Sequence, residues 1–256
     1  MYKEEVDAVA EGAKKKVTLL NNNPVGYFIA SMLAGMYVGF GILLIFTIGG
    51  QLQGAPYTKI IMGISFGIAL SLVVIAGSEL FTGNNMVMTL GLMNRKVSLL
   101  EAIKLWLVCW LGNLTGSVLL AIIFWLTGYA KGDVGSFIAT AAAAKMSAPI
   151  IELLTRGILC NALVCLAVWC ALKCKSESGK LIMIFWCLFA FITCGFEHSV
   201  ANMTLLSVAL LAPLEAGISL GGFFYNLLIV TIGNMLGGIL LVALPYQLIA
   251  GKKEVA

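Results

Sequence analysis

Long apolar runs, separated by short polar stretches, set the pattern of this chain. Uncharged runs occupy 26–50, 105–130, 157–172 and 216–250. A bilayer core about 30 Å thick is crossed by roughly 20 helical residues, so each run predicts a transmembrane helix. The last is long enough that its first residues form a loop ahead of the helix. Two further runs, 60–94 and 181–214, are apolar except near the middle, where Glu79 interrupts one and Glu197 and His198 the other. As one straight helix each would reach about 50 Å. Glycines flank the central charge, Gly77 and Gly83 in the first and Gly195 in the second. The pattern predicts spans broken into half-helices by a loop at membrane depth, and six spans in all. Ahead of them Val6, Val9, Ala10, Ala13, Val17 and Leu20 recur at helical spacing beside Lys14, Lys15 and Lys16. That spacing predicts a cytoplasmic amphipathic helix over 1–23, acting as a surface anchor or as a lid over a pore mouth.

The two interrupted runs share a motif. Gly77-Ser-Glu-Leu-Phe-Thr-Gly-Asn84 and Gly195-Phe-Glu-His-Ser-Val-Ala-Asn202 both read Gly-x-Glu-x-x-x-x-Asn. Each is followed by a span carrying Gly-Asn-x-x-Gly, at Gly112-Asn113 with Gly116 and at Gly233-Asn234 with Gly237. Three spans per copy is an odd number, so the second copy crosses in the opposite sense. The fold class is therefore an all-α membrane protein with two inverted three-helix repeats, about 24–130 and 148–251, in one channel domain over 24–256. Inverted repeats with discontinuous helices are a transport architecture. Irregular backbone survives at that depth only when packed in protein or lining a cavity. Half-helix N-termini there favour an anion.

Composition agrees. Of 256 residues 61% are hydrophobic and 11% charged, too few polar side chains to coat a soluble domain of this size. The net charge of +4 is small and scattered, which excludes a nucleic-acid surface. Its placement is more informative. Lys3, Lys14–16, Arg95, Lys96, Lys104, Lys173, Lys175, Lys180, Lys252 and Lys253 fall on one side; Lys59, Lys131 and Lys145 fall on the other, with Arg156 at an edge. By the positive-inside rule both termini face the cytoplasm of a plasma (inner) membrane. The 7 cysteines show no C-x-x-C pair and no histidine at ligand spacing, so they are expected as small buried side chains, with no metal site and no cofactor.

The chemistry sits at the breaks. Glu79 and Glu197 would each cost about 2.5–3.5 kcal/mol at the bilayer centre and need partners. The expectation is that each carboxylate accepts hydrogen bonds from loose N–H groups of its own broken helix, with proton relay as the alternative; Asn84 and Asn202 support the same turns. His198 is the sole histidine, placed where an imidazole titrating near 6.5 could give or take a proton. Thr82 would put a hydroxyl in the first break, facing a substrate or back-bonding to the chain. Lys145, in a loop on the outer side, would be solvated or would attract anions at a pore mouth. A Ser199–His198 hydrolase is not indicated, since adjacent residues rarely pair so and no G-x-S-x-G exists; the chain is not an enzyme on this reading.

These residues resemble the formate/nitrite transporter family. Glu79-Leu-Phe-Thr82, Ala144-Lys145, Cys160-Asn161 and Phe196-Glu-His-Ser-Val-Ala-Asn-Met203 look like its signatures, in order across nearly the whole chain. The resemblance implies an aquaporin-like protomer in a homopentamer, one pore per subunit, passing small monovalent anions such as formate, nitrite or hydrosulfide. It implies that Thr82 belongs to the loop breaking the second span, that His198 lies at the pore centre, that Asn161 approaches His198, and that Lys145 stands in the outer vestibule. Phe66, Leu70, Leu80, Phe81 and Phe191 match two apolar slits around that centre. Phe81-Thr-Gly-Asn-Asn-Met86 is similar to the hydrosulfide channel branch of clostridia. Between slits, His198 would share or supply a proton so that a neutral acid crosses the apolar walls. Rival readings are an electrogenic anion channel without protonation and a water or small-solute channel. The paired Asn-Pro-Ala signature of the latter is replaced here by Thr-Gly-Asn and Val-Ala-Asn.

Overall fold

A computed structural model describes residues 2–215 and 217–251. Lys252 and Lys253, counted above toward the cytoplasmic charge, lie outside the described residues, as does Ala216 at the head of the last apolar run. Among the described residues the regular structure is helical: α1 (Tyr2–Asn22), α2 (Pro24–Gln51), α3 (Thr58–Ser65), α4 (Ile68–Leu72), α5 (Phe81–Met93), α6 (Leu99–Leu126), α7 (Gly132–Ser147), α8 (Ile150–Lys173), α9 (Glu177–Thr193), α10 (Ser199–Leu211), α11 (Leu220–Leu236) and α12 (Leu244–Ala250). Wider π turns continue α4 over Val73–Gly77 and join α11 to α12 over Gly237–Ala243. Five helical stretches are long and apolar enough to cross a membrane: Pro24–Gln51, Thr58–Gly77, Leu99–Leu126, Ile150–Lys173 and Leu220–Ala250. The crossing read at 181–214 is divided between α9 and α10, of 17 and 13 residues.

Helix starts follow local chemistry. Asn23 accepts from the Gly26 amide ahead of Pro24, a proline placed where its missing N–H costs nothing. Ser98 and Glu101 form a reciprocal capping box on α6, and Ser219 caps α11 where the 216–250 run turns from loop to helix.

Both interrupted runs are broken where the glycines and carboxylates foretold. The chain leaves Gly77 at φ 79° and Gly195 at φ 73°, a region costly for any residue with a Cβ. It then runs non-helically to α5 and α10.

The two halves pack alike. α2 lies against α6 as α8 lies against α11. A Cβ on Gly116 would sit 1.9 Å from the Met32 carbonyl oxygen, and one on Gly237 2.1 Å from that of Ile158. The second glycine of each Gly-Asn-x-x-Gly motif is thus where two backbones touch.

Three expectations need correction. Lys145 does not sit in a loop: it is in the last turn of α7, a 16-residue helix. A helix this short falls below bilayer thickness and carries no span signal, whereas its Ala141–Ala144 run is a strong helix former. α1 does not lie free on the surface, because Val6, Val9, Ala10, Ala13, Val17 and Leu20 are buried against α5, α2, α6 and α12. Its apolar stripe meets protein instead of lipid. Among the cysteines, Cys109, Cys160, Cys165 and Cys187 are buried as expected, but Cys170 and Cys174 are half-buried and Cys194 is exposed. Cys194 caps α9, where the helix breaks and its packing ends.

Candidate functional site

The two breaks are held by the same hydrogen bonds. Asn113 accepts from the Phe81 amide at 2.9 Å and donates to the carbonyls of Ser31 at 2.7 Å and Glu79 at 2.9 Å. Asn234 accepts from the Ser199 amide at 2.8 Å and donates to the carbonyls of Gly157 and Glu197, both at 2.9 Å. The amide of Glu79 donates to Ala30, and that of Glu197 to Arg156. A buried amide side chain thus joins each half-helix N-terminus to the neighbouring span, satisfying groups that would otherwise stand unpaired.

The carboxylates do something other than expected. Glu79 accepts from Lys16 Nζ at 2.7 Å and from Asn84 Nδ2 at 3.0 Å. Tyr27 Oη donates to it at 3.2 Å. Glu197 accepts from Lys145 Nζ and Asn202 Nδ2, both at 2.6 Å. Among the described residues neither carboxylate accepts a backbone N–H of its own half-helix; the first amides there, of Phe81 and Ser199, go to Asn113 and Asn234 instead. Asn202 also donates to Asn226, which donates on to the Lys145 carbonyl. Asn84 and Asn202 thus bond the carboxylates beside the breaks, and each charge is neutralised by a lysine from a helix outside the membrane spans. Glu197 is only 4% exposed and Glu79 12%, a burial that demands a paired cation.

Between the breaks lies one polar contact in apolar surroundings. Thr82 Oγ1 and His198 Nε2 are 2.9 Å apart and both side chains are buried. His198 Nδ1 accepts the Ala201 amide at 3.1 Å. That nitrogen therefore carries no proton here, and the proton of a neutral ring sits on Nε2, toward Thr82. The imidazole stacks on Phe191 at 6.0 Å between centroids, and Phe191 meets Phe66 edge-on at 5.4 Å. In the repeat, Phe81 corresponds to Ser199 by the shared cap, so Leu80 occupies the place of His198 and Val200 that of Thr82. The hydroxyl and the imidazole are where the two halves stop being alike.

Three cavities touch these residues. One of about 200 Å³, on the α7 side, reaches His198 and Phe191 and includes Lys59 and Lys145. Another of about 850 Å³, on the α1 side, reaches Leu70, Leu80 and Lys16. A void of about 10 Å³ separates them, walled by Phe66, Leu70, Leu80, Phe191 and His198 among others. Leu70 and Leu80 close it toward α1; Phe191 and His198 close it toward α7. Phe81 is buried but does not wall the void; its amide is the group held by Asn113. Nor does Asn161 bond His198: its Nδ2 donates to the carbonyls of Thr82 at 3.2 Å and Asn234 at 2.6 Å.

Sequence reasoning missed Lys16, whose membership in an amphipathic stripe gave no hint that it reaches a carboxylate 63 positions away. Tyr27 and Asn226 were missed too. Asn113 and Asn234 were visible as repeated motif members without a role.

A family model described as formate/nitrite transporter matches residues 3–248. The nitrite transporter NirC of Salmonella typhimurium strain LT2 is 42% identical, the alignment covering 99% of this chain and 94% of that protein. The formate channel FocA of Haemophilus influenzae is 30% identical, over 85% and 84%. A solved structure described as an FNT family ion channel superposes with a TM-score of 0.91 at 42% identity, over 95% of this chain and 97% of that one. A pentameric formate channel with formate bound gives 0.79 at 28% identity, over 89% and 97%. The repeated breaks, the matched relatives and the family model agree, and this chain is a multi-pass membrane protein of the formate/nitrite transporter family.

Proposed function

We propose that the chain is a channel for small monovalent anions that cross its narrowest part as conjugate acids, with hydrosulfide, formate and nitrite as the substrate class. The observation that carries this reading is the Thr82–His198 pair, set where a polar contact interrupts an apolar void between two cavities. A bare anion entering that void would lose its water and gain no cation, a cost of several kcal/mol at least. A neutral acid has no such barrier. The relatives named for nitrite and formate support the substrate class. Hydrosulfide rests on the resemblance of residues 81–86 and on the weakness of its acid, which leaves more neutral species at cellular pH.

The Nδ1 contact narrows the part His198 plays. A neutral ring with its proton on Nε2 is a good hydrogen-bond donor and a poor acid, because losing that proton leaves an imidazolate. Charging the ring would break the bond from Ala201. His198 therefore shares a hydrogen bond with the passing species through Nε2–H, while the proton that neutralises the anion is taken from solution outside the void, where acid and conjugate base equilibrate with the bulk pH. Thr82 Oγ1 completes a donor–acceptor pair able to hold either an acid O–H or an S–H. This geometry favours the electroneutral route over a channel in which a charged ring passes the bare anion.

The Lys and Arg distribution supports both termini in the cytoplasm, the α1 cavity inside and the α7 cavity outside. The pentameric relative supports a homopentamer with one path per protomer. Stopped-flow uptake of formate, nitrite and hydrosulfide into proteoliposomes across an imposed pH gradient tests the proposal. His198→Phe is expected to abolish the pH-driven component while the oligomer elutes unchanged from size exclusion. Uptake with the wild-type pH dependence would remove His198 from this role.

A further inference from the structure

We infer that Gly41 of α2 sets the size limit of the passage, as a positioning residue that acts through the Phe66 ring; the inference rests on the channel reading above. Gly41 is buried and lines none of the three cavities. It stands behind the wall of the void. A Cβ on Gly41 would lie 2.7 Å from the Ala69 Cβ and 3.0 Å from Phe66 Cε2. Both of those residues wall the void. Carbon atoms pack at about 3.5–4.0 Å, so a methyl at this position displaces the ring by about half an ångström.

The ring has one way to go. α3 and α4 pack on α2 and on α9, and Phe66, at the C-terminal cap of α3, holds its ring between Gly41 and Phe191. Phe191 meets that ring edge-on at 5.4 Å and is itself backed by the buried His198 imidazole, stacked at 6.0 Å. Both phenyl rings are buried, and an interior this dense transmits a shift instead of absorbing it. Bulk added at Gly41 therefore moves Phe66 toward Phe191 and narrows a void of about 10 Å³. The loss is graded by acid size. Acetic acid, larger than formic acid by a methylene, is hindered more. Neither Thr82 nor His198 is among the nearest neighbours of a Cβ on Gly41, so the response to pH is left as it was.

Uptake of formate and of acetate into proteoliposomes tests this, each rate referred to the protein that elutes as the wild-type oligomer. Gly41→Ala is expected to lower the acetate-to-formate uptake ratio about tenfold, the scale on which a pocket feels one methylene. The pH dependence of its formate uptake stays that of wild type. Where wild type already excludes acetate, the limit falls on formate itself, and Gly41→Ala loses formate uptake. Phe66→Leu removes the ring edge, so adding it to Gly41→Ala restores what was lost. Gly41→Ala/Ala69→Gly deletes the nearest Cβ and keeps the methyl against the ring, so it discriminates in the same way even where Gly41→Ala alone does not assemble. Unchanged uptake, or losses by the same factor for both acids, would overturn the inference. So would a lowered ratio that survives in the Phe66→Leu background. Wild-type proteoliposomes taking up formate no faster than protein-free ones would instead defeat the channel reading itself.

Discussion

Replacing Asn234 by leucine isolates what holds a break open at membrane depth. Leucine keeps the branched four-atom skeleton of asparagine, so the change deletes hydrogen bonds without opening a cavity, and the Asn85 control below carries the same added methyl bulk. Three contacts go: the Ser199 amide at 2.8 Å and the Gly157 and Glu197 carbonyls, both at 2.9 Å. Within bilayer proteins such bonds average about 0.6 kcal/mol and reach about 1.7, because the unfolded reference also finds partners. Three of them give a loss of about 2–5 kcal/mol. At about 2–4 °C per kcal/mol for a chain of this size, the melting temperature in detergent should fall by about 4–20 °C. Asn113→Leu removes the mirror set, at 2.7–2.9 Å, and should fall by a similar amount. Asn85→Leu is the control. Asn85 is buried as deeply, yet neither its Oδ1 nor its Nδ2 has a hydrogen-bond partner among the described residues. Removing an unpaired buried amide is neutral or stabilising. Thermal melts followed by fluorescence-detected size exclusion decide the matter. Equal losses for Asn85 and Asn234, or a loss for one of Asn113 and Asn234 alone, would refute the reasoning that the two breaks are equivalent and amide-held.

Other consequences follow from the same contacts. Gly116→Ala and Gly237→Ala would force a Cβ into a facing carbonyl at 1.9 and 2.1 Å, so each should lower the melting temperature sharply, while Gly12→Ala, with nothing within 4 Å, should leave it unchanged or raise it. Lys145→Met leaves Glu197 charged and buried, at a cost of about 3–5 kcal/mol; adding Glu197→Gln should recover much of that, as a double-mutant cycle of melts would record. In the first turn of α1, Glu5 lies below the ordinary carboxylate value of 4.5, first because its own backbone amide donates to it and then because Lys173 pairs with it at 3.4 Å. A lowered folded value means a contribution present above the unfolded value and lost as pH falls through the folded one. Glu5→Gln should therefore shift the melt equally at pH 6 and pH 8, with the difference shrinking only below about pH 4.

Most of the fold was legible because a bilayer imposes a length and a charge rule that a single sequence can be read against. The breaks were legible as well, since Glu79 and Glu197 beside Gly77 and Gly195 have no place in a continuous span. The partners of those carboxylates were not. Lys16 and Lys145 sit on helices outside the membrane core, where neither length nor hydropathy marks them, and only three-dimensional packing brings them to the breaks. The same gap explains α7. A filter set to bilayer thickness sees a 16-residue helix as connection. The likeness between halves was visible in Gly-Asn-x-x-Gly, but its purpose appeared only when Asn113 and Asn234 were seen to cap the same positions. Where the likeness ends, at Thr82 and His198 against Val200 and Leu80, the repeat gave no signal at all.

The central claim is that the species crossing the void between Phe191 and Leu70 carries no charge. Recording membrane current and formate uptake together, on the same proteoliposomes between pH 5.5 and 8, measures this directly. The account predicts uptake that climbs as pH falls, by up to about tenfold per unit where the neutral acid limits it, with no accompanying charge movement. One elementary charge carried per formate taken up, at any pH in that range, would contradict it.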